Sequence, residues 1–350
     1  MTTSRIEIGA LEANREVELL ALVRRKNLAR SRNGRDYLNL KLGDRSGEIT
    51  AFLWEDAAAA DAGISEGDCV LARGRTQIFN GNLQLNLNYL ALWTEPIDPR
   101  LFLPHTDKHI PTLERELAEL ICSVQNPWLR YLLEEFFLRD VEFARRFALA
   151  PAAKAMHHAW LGGLLEHTLS VGRLADRICE LYPGIDRDLV LTGALLHDIG
   201  KVRELTYERT LDYSTPGRLL GHVIIGVEMI RDKAMAIEGF PESTLILLEH
   251  LILSHHGEYA YGSPKRPKTR EAVLLNFVDD LDAKLTAVDT IIDQADREGR
   301  EWSSFHRLFE RNFFAGFPPT EAVEKPDSAS ESQPASAIPT LPPEEPRLPF

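Results

Sequence analysis

The amino-acid sequence predicts a multidomain α+β protein, in which a small five-stranded β-barrel precedes an all-helical domain and a disordered tail. Three observations support this prediction. Apolar and polar residues alternate in short runs between about residues 15 and 95, as in half-buried strands. Apolar residues recur at helical spacing from residue 112 to about residue 314. From Pro318 onward, 9 of 33 residues are proline, and such a segment cannot bury a core.

The strand pattern is clearest at residues 37–42, where leucine alternates with polar or aromatic side chains. Asn33-Gly34 just before this run is a strong hairpin signal. The Ala-rich stretch 56–64 predicts a short helix between strands. Five strands and one small helix in this space suit a closed barrel, of which the OB fold is the commonest form. Further alternating runs lie at 49–54, 70–77 and 83–89.

A proline-containing connector separates the predicted barrel from the helical region. Apolar residues at helical spacing between about 129 and 137 predict one helix. Asn126-Pro127 marks its start, because proline is favoured in the first helical turn. We expect an OB-fold domain at 1–100, a helical domain at 101–317 and a disordered tail at 318–350. The other helical runs lie at 113–121, 164–178, 189–196, 223–230, 245–253 and 272–292.

Composition limits the class of protein. With 44% hydrophobic and 27% charged residues, the chain has the composition of a soluble globular protein. No apolar stretch approaches the roughly 20 residues that cross a bilayer, and the N-terminus lacks the apolar core of a secretory signal. We therefore expect a cytoplasmic protein with no membrane partner. Three scattered cysteines indicate neither a disulfide framework nor a thiolate metal site: Cys69, Cys122 and Cys179.

The net charge of −13 argues against a protein that coats nucleic acid by charge alone. The charge is uneven, however, since residues 1–100 carry 13 Lys or Arg against 14 Asp or Glu. A basic stretch between residues 24 and 41 is opposed only by Asp36. The barrel can therefore have a locally basic surface although the net charge of the protein is negative.

Histidines cluster in the helical region, where eight of eleven lie between His157 and His256. His197-Asp198 ends an apolar helical run just before Gly200, and His255-His256 ends another in the same way. Ligands at helix ends can converge in the core of a bundle. Because imidazole and carboxylate together bind divalent transition metals, the pattern predicts a metal centre.

The order of these residues resembles the HD-domain metal-dependent phosphohydrolases. In that family the first His, the His-Asp pair and the final Asp hold one metal ion. The corresponding residues here are His167, His197, Asp198 and Asp279. The histidines of the family's two-metal branch correspond to His222, His255 and His256, with Asp198 bridging the ions. Asp282 is a close rival of Asp279 and Asp280 a weaker one, but Asp279 precedes the 280–284 run as the family pattern requires.

Two longer segments resemble the YhaM-type 3′–5′ exoribonucleases. Residues 157–172 read HHAWLGGLLEHTLSVG, similar to the HHAYxGGLLEHT segment of that family. Residues 254–259 read SHHGEY, and residues 261–264 read YGSP. A barrel ahead of an HD domain is also that family's layout, so the resemblance spans about 15–315. It implies removal of nucleotides from the 3′ end of single-stranded RNA, or also DNA.

Two divalent ions would activate a bridging water against a phosphodiester, so no covalent protein nucleophile is needed. Mn²⁺ is the expected ion, with Fe²⁺, Co²⁺ and Mg²⁺ as alternatives. An imidazole-rich set disfavours Mg²⁺, which prefers oxygen ligands. Besides Asp198, two side chains are candidate catalytic groups. Lys201 would place an ammonium near the phosphate, or it is a solvated lysine after a helix end. His158 would contact the phosphate or leaving group, or it caps the helix that carries His167.

The barrel offers a candidate surface for a single strand. Aromatic side chains interleaved with cations stack bases at roughly 1–3 kcal/mol each. The alternative is that Phe52 and Trp54 fill the barrel or its contact with the helical domain. The polar strand face around Asn86 suits RNA or water equally well. The predicted nucleic-acid contacts are Tyr37, Lys41, Phe52, Trp54, Arg73 and Asn86.

Two other functions compete with this interpretation. The first is a different HD phosphohydrolase that cleaves nucleotides or cyclic dinucleotides. The branch specific for cyclic-di-GMP carries Gly-Tyr-Pro after its His-His pair, whereas the sequence here reads Gly262-Ser263-Pro264. The second is a nucleic-acid-binding module with a non-catalytic metal site. An intact ligand set speaks against it, because a degenerate site should have lost ligands.

Overall fold

The computed structural model describes residues 6–154 and 158–317. The predicted tail at 318–350 lies outside these residues. The chain divides into two compact units after Ile291, and the first unit contains both the barrel and the helices that carry the predicted ligands. Within the described residues, no helix is both long and apolar enough to cross a membrane.

Five strands close into a barrel with the order β1-β2-β3-β5-β4. Neighbouring strands are antiparallel except β3 and β5, which pair in parallel. Leu38, Leu40 and Leu42 are completely buried inside, as the alternation predicts. The bounds are β1 (Glu16–Arg30), β2 (Asp36–Gly43), β3 (Glu48–Leu53), α1 (Ala57–Gly63), β4 (Cys69–Phe79) and β5 (Asn82–Leu92). The predicted five-stranded barrel is confirmed.

The helical region is built around α6, whose residues from Leu189 to Leu196 are all buried. It packs against α3, α5 and α9. Burying one leucine contributes roughly 1.5–3 kcal/mol, so this apolar helix anchors the core and fixes where its last turn ends. The helices are α2 (Ile110–Ser123), α3 (Pro127–Glu134), α4 (Val141–Leu149), α5 (Gly163–Cys179), α6 (Arg187–Leu196), α7 (Lys201–Glu204), α8 (Thr215–Ala236), α9 (Glu242–Ser254) and α10 (Arg270–Arg297).

Two local features differ from the predicted pattern. The helix expected at about 129–137 is α-helical only to Glu134 and continues as a π-helical turn at Glu135–Arg139. A hairpin of two short strands, β6 (Leu205–Thr206) and β7 (Asp212–Tyr213), follows α7. Strands of two residues are too short to show a period in the sequence. Arg209 in this hairpin donates a hydrogen bond to Asp68 of the barrel at 2.8 Å.

Candidate metal centre

The seven predicted metal ligands lie together in the helical region. His167 is on α5 and Asp279 on α10, while His197 and His255 are the residues that end α6 and α9. His167, His197, Asp198 and His255 are each at most 2% exposed. The structure therefore gathers side chains from five helical elements at one buried point, including His222 from α8.

Asp198 lies between two groups of histidines, and each group faces a different oxygen of its carboxylate. Oδ2 is 3.5 Å from His167 Nε2 and 3.3 Å from His197 Nε2. Oδ1 is 3.4 Å from His222 Nε2 and 3.8 Å from His255 Nε2. One carboxylate thus has one oxygen directed at each group.

Each group is compact enough to hold one ion. His167, His197 and Asp279 offer ligand atoms that all lie within 4.8 Å of one another. Asp279 Oδ1 is 3.1 Å from His167 Nε2 and 3.6 Å from His197 Nε2. His222, His255 and His256 form a second group by the same measure.

Backbone carbonyls orient three of the histidines. The Nδ1 atom of His197 donates to Ala194 O at 2.8 Å, and that of His255 donates to Ile252 O at 2.7 Å. His256 Nδ1 donates to Tyr261 O at 3.1 Å. A carbonyl only accepts, so Nδ1 carries the proton and Nε2 is left as the metal-binding atom. Metal-ligating histidines in proteins are held in this way.

Asp282, the rival of Asp279, lies on the opposite side of His167. Its Oδ2 is 2.7 Å from His167 Nδ1, whereas Asp279 is next to Nε2. Ser170 donates a hydrogen bond to the same carboxylate, and His158 Nε2 is 3.2 Å from it. Asp282 is thereby placed to orient the His167 ring. Asp280, the weaker rival, is exposed and forms an ion pair with Lys284.

His222 is presented by a break in α8. Gly221 has φ 76° and ψ 157°, a backbone conformation that glycine adopts readily and other residues rarely. After this break the main-chain N–H of His222 donates to Glu204 Oε1 at 3.0 Å, and its Nδ1 donates to the same oxygen at 3.1 Å. Glu204 therefore caps the second part of α8 and orients the ring of His222.

The charges at the centre favour a cation. Burial alone would raise the pKa of Asp198, but Lys201 and His197 hold it well below its ordinary value. Burial alone would lower the pKa of His167, but hydrogen bonds with Asp279 and Asp282 raise it to about 9. At His255 burial dominates and lowers the pKa well below the ordinary value. The metal-free centre thus holds ionised carboxylates, a protonated imidazole at His167 and a neutral imidazole at His255.

Three buried polar atoms at this point have no hydrogen-bond partner among the described residues: Asp198 Oδ1, His222 Nε2 and His255 Nε2. An unsatisfied buried polar group costs roughly 1–3 kcal/mol, so such a cluster needs an explanation. All three atoms are electron-pair donors aimed at one place. A divalent cation satisfies them together, and the residues present therefore fit a metal.

Lys201 and His158 occupy different positions relative to Asp198. Lys201 Nζ is 2.5 Å from Asp198 Oδ2, and its side chain is 11% exposed. His158 is buried beside Asp282 and 3.2 Å from the Thr286 hydroxyl. Lys201 is thus at the metal centre, whereas His158 contacts the carboxylate that orients His167.

The aromatic residues predicted to bind nucleic acid form a group on the outside of the barrel. Tyr37 stacks on Trp54 with ring centroids 4.7 Å apart, and Phe52 is 6.1 Å from Tyr37. Asn86 is paired with Phe52 across β3 and β5. Trp54 is 40% exposed, so this group faces solvent rather than the barrel core.

The two predicted cations of the barrel are ion-paired. Lys41 is 3.4 Å from Glu48. Arg73 pairs with Glu18 and lies over the ring of Tyr89, 5.0 Å from its centroid. The positive charge of this face is therefore partly neutralised by neighbouring carboxylates.

Two residues of the centre were missed by sequence reasoning. Ser170 lies three residues after His167 on the same helix, and this i, i+3 spacing was a usable signal. Glu204 carries no such signal, because its partner His222 is 18 residues further on, in the next helix.

Comparison with known protein families gives a match for the barrel and a match for the helical region. The HD domain model matches residues 164–284, and a model described as an OB-fold nucleic acid binding domain matches residues 17–92. The HD match implies that the His and Asp cluster binds divalent metal. The HD domain of the phosphodiesterase PgpH from L. monocytogenes is 20% identical, over 50% of this chain and 87% of that chain, with a TM-score of 0.27.

Three curated relatives, all named 3′-5′ exoribonuclease YhaM, match most of the chain. The Geobacillus sp. (strain WCH70) protein is 31% identical, covering 87% of this chain and 93% of the relative. The Bacillus pumilus (strain SAFR-032) protein is 31% identical, covering 88% and 97%. The Bacillus subtilis (strain 168) protein is 32% identical, covering 87% and 96%. With this identity over nearly the whole length of these relatives, the chain belongs to the family of the 3′-5′ exoribonuclease YhaM.

Proposed function

We propose that this protein is a metal-dependent 3′-5′ exoribonuclease that hydrolyses single-stranded RNA with two divalent ions at the HD centre. The observation that carries the proposal is the carboxylate of Asp198, with Oδ2 facing one histidine group and Oδ1 facing the other. A carboxylate placed in this way suits a bridge between two ions. Membership of the YhaM family supplies the substrate class and the direction of attack.

The residues divide into two ligand sets. His167, His197 and Asp279 would hold the first ion, and the three remaining histidines the second, with Asp198 shared. Asp279 is preferred to Asp282 as the ligand because it lies at Nε2 of His167, on the side of Asp198. Mn²⁺ is the proposed ion, since five imidazoles disfavour Mg²⁺.

When bound, two cations would supply an acidic water and would neutralise the phosphate oxygens. The chain's own groups complete the site. Asp282 and Glu204 orient His167 and His222, and this fixes where the ligand nitrogens lie. Lys201 holds an ammonium beside Asp198 and lines a cavity that opens onto the metal centre, where it can pair with a phosphate oxygen.

The barrel would hold the strand that the HD centre shortens. Tyr37, Phe52 and Trp54 present adjacent rings on the outer face, and base stacking on such rings does not depend on sequence. This arrangement suits an enzyme that must accept every nucleotide in turn. Because the family matched here is named for exoribonucleases, RNA is the proposed substrate and DNA the comparison substrate.

The test uses the purified protein with Mn²⁺ and RNA oligomers labelled at either end. A ladder of 5′-labelled products that shortens from the 3′ end is expected, together with immediate release of the 3′ label as a nucleotide. Asp279→Asn should abolish this activity, whereas Asp289→Asn, an exposed residue on the same helix, should keep it. Activity confined to free nucleotides or cyclic dinucleotides, or a fully active Asp279→Asn variant, would contradict the proposal.

A further inference from the structure

A cavity of about 730 Å³ opens directly onto the metal centre. Asp198 and Asp279 are among its lining residues, and one face of α10 forms part of its wall. The loop that follows the His255-His256 pair contributes to the remaining wall. Small-molecule sites in proteins are typically about 300–1,000 Å³, so the cavity is large enough for the terminal nucleotide of a strand.

Two aromatic side chains line this cavity and are largely uncovered. Tyr261, from the loop, is 74% exposed, and Phe277, from α10, is 66% exposed. Neither ring packs into the core, although both are large and apolar. Exposed aromatic residues beside a reactive centre are typical of binding surfaces.

The loop holds the main chain of Tyr261 next to a metal ligand. The carbonyl of Tyr261 accepts the hydrogen bond from His256 Nδ1. The buried Ser263 hydroxyl donates to Lys265 O at 2.6 Å, and Arg266 Nε donates to Glu258 Oε2 at 2.7 Å. The main chain that carries the Tyr261 ring is therefore ordered before substrate arrives, which lowers the cost of binding.

The charges of the cavity rim do not by themselves select a ligand. Arg266 is paired with Glu258, and Lys284 is paired with Asp280 at 2.6 Å. Both cations line the cavity together with their carboxylate partners. Because these charges are balanced, the two aromatic faces are the feature of the rim that can select a ligand. Such faces suit an unpaired base, because a base in the middle of a duplex is already stacked on both sides.

We propose that Tyr261 and Phe277 form a stacking platform for the base of the 3′-terminal nucleotide, in single-stranded nucleic acid of any sequence. This inference rests on the exonuclease function proposed above. It assigns the platform to the nucleotide next to the scissile bond, whereas the barrel residues Tyr37, Phe52 and Trp54 would hold the strand elsewhere. Stacking on such a platform does not depend on base identity, so it would position each new 3′ end in turn.

The test compares two RNA oligomers that differ only in the 3′-terminal nucleotide, which either carries its base or is abasic. In the wild-type protein, removal of the base should lower kcat/KM for release of that nucleotide by roughly 5- to 150-fold, the range that aromatic stacking gives. The Tyr261→Leu/Phe277→Leu double variant should lose most of this discrimination. Tyr261→Phe keeps the ring and should keep the discrimination, as should the control Tyr131→Leu on α3, a surface tyrosine 40% exposed.

The outcomes separate this inference from the proposed function. Wild-type protein that shortens neither oligomer would overturn the exonuclease function and the platform together. Wild-type protein that shortens both oligomers equally would overturn the platform alone. The platform is also overturned if the double variant discriminates as the wild type does. A change of molar mass in the double variant, measured by light scattering, would instead assign the rings to an interface between copies of the chain.

Discussion

Replacing Glu204 by alanine should weaken one metal site and spare the other. The single oxygen Oε1 accepts from both the main-chain N–H and Nδ1 of His222, at 3.0 and 3.1 Å. Glu204 is 8% exposed, so water does not readily replace it. Burial alone would raise the pKa of Glu204, but His222 lowers it, and the carboxylate is therefore ionised where it holds the ring.

The expected magnitude follows from these two bonds. A hydrogen bond to a charged group contributes roughly 1.5–3 kcal/mol, and loss of the group that orients a ligand histidine typically lowers metal affinity about 10- to 100-fold. Only the set of His222, His255 and His256 depends on Glu204, while His167 is oriented by Asp282. Glu204→Ala should therefore bind one Mn²⁺ as the wild type does and the second about 10- to 100-fold more weakly.

Isothermal titration with Mn²⁺, together with metal analysis after dialysis, measures both sites. Glu204→Gln keeps an acceptor oxygen for His222 and should fall between the wild type and Glu204→Ala. Glu249→Gln is the matched control, since Glu249 is also buried but pairs with Arg231 on α8. Two sites of wild-type affinity in Glu204→Ala, or equal weakening of both, would refute this account of the metal centre.

Four further predictions concern acidity, packing and the barrel. In metal-free protein the pKa of His167 is raised to about 9, so below pH 9 a metal ion must displace a proton from this residue. The Mn²⁺ affinity measured by titration should therefore rise by up to about tenfold per pH unit until pH 9. Protonated His167 also stabilises the metal-free fold, fully below pH 6.5, and this stabilisation is lost as the pH rises through 9. The melting temperature of the metal-free protein should therefore fall over this range. Gly200→Ala would place Cβ 2.0 Å from the carbonyl oxygen of His222, and this overpacking should cost about 1–3 kcal/mol in denaturant titrations. Tyr37→Ala should raise KM for long RNA roughly 5- to 150-fold, and more than for dinucleotides; equal effects on both would contradict a role in holding the strand.

The main elements of the fold could be predicted because they carry long, regular patterns. The buried α6 and the amphipathic α5 appear in the sequence at nearly the bounds that the structure shows. Likewise, the leucine alternation at residues 38–42 lies in β2, with its leucines in the barrel core. These patterns persist over several turns or strand residues, so local information is sufficient.

The geometry of the metal centre needed the structure. Sequence spacing named Asp279 and Asp282 as rivals, but only the fold shows that they lie on opposite nitrogens of His167. The break at Gly221 and its partner Glu204 depend on the close approach of α7 and α8. Such contacts between helices leave no period in the chain, so no pattern in the sequence predicts them.

The ends of α6 and α9 have an electrical consequence for the centre. Both helices finish at a metal-facing histidine, His197 and His255, so their last carbonyls are near the same point. A helix carries roughly half a negative charge at its C-terminus. The main chain itself therefore adds a field that attracts cations, independently of the side chains. A scaffold that carries the same seven ligands without these two helix ends would reproduce the coordination but not this attraction. The metal affinity of such a scaffold should be lower.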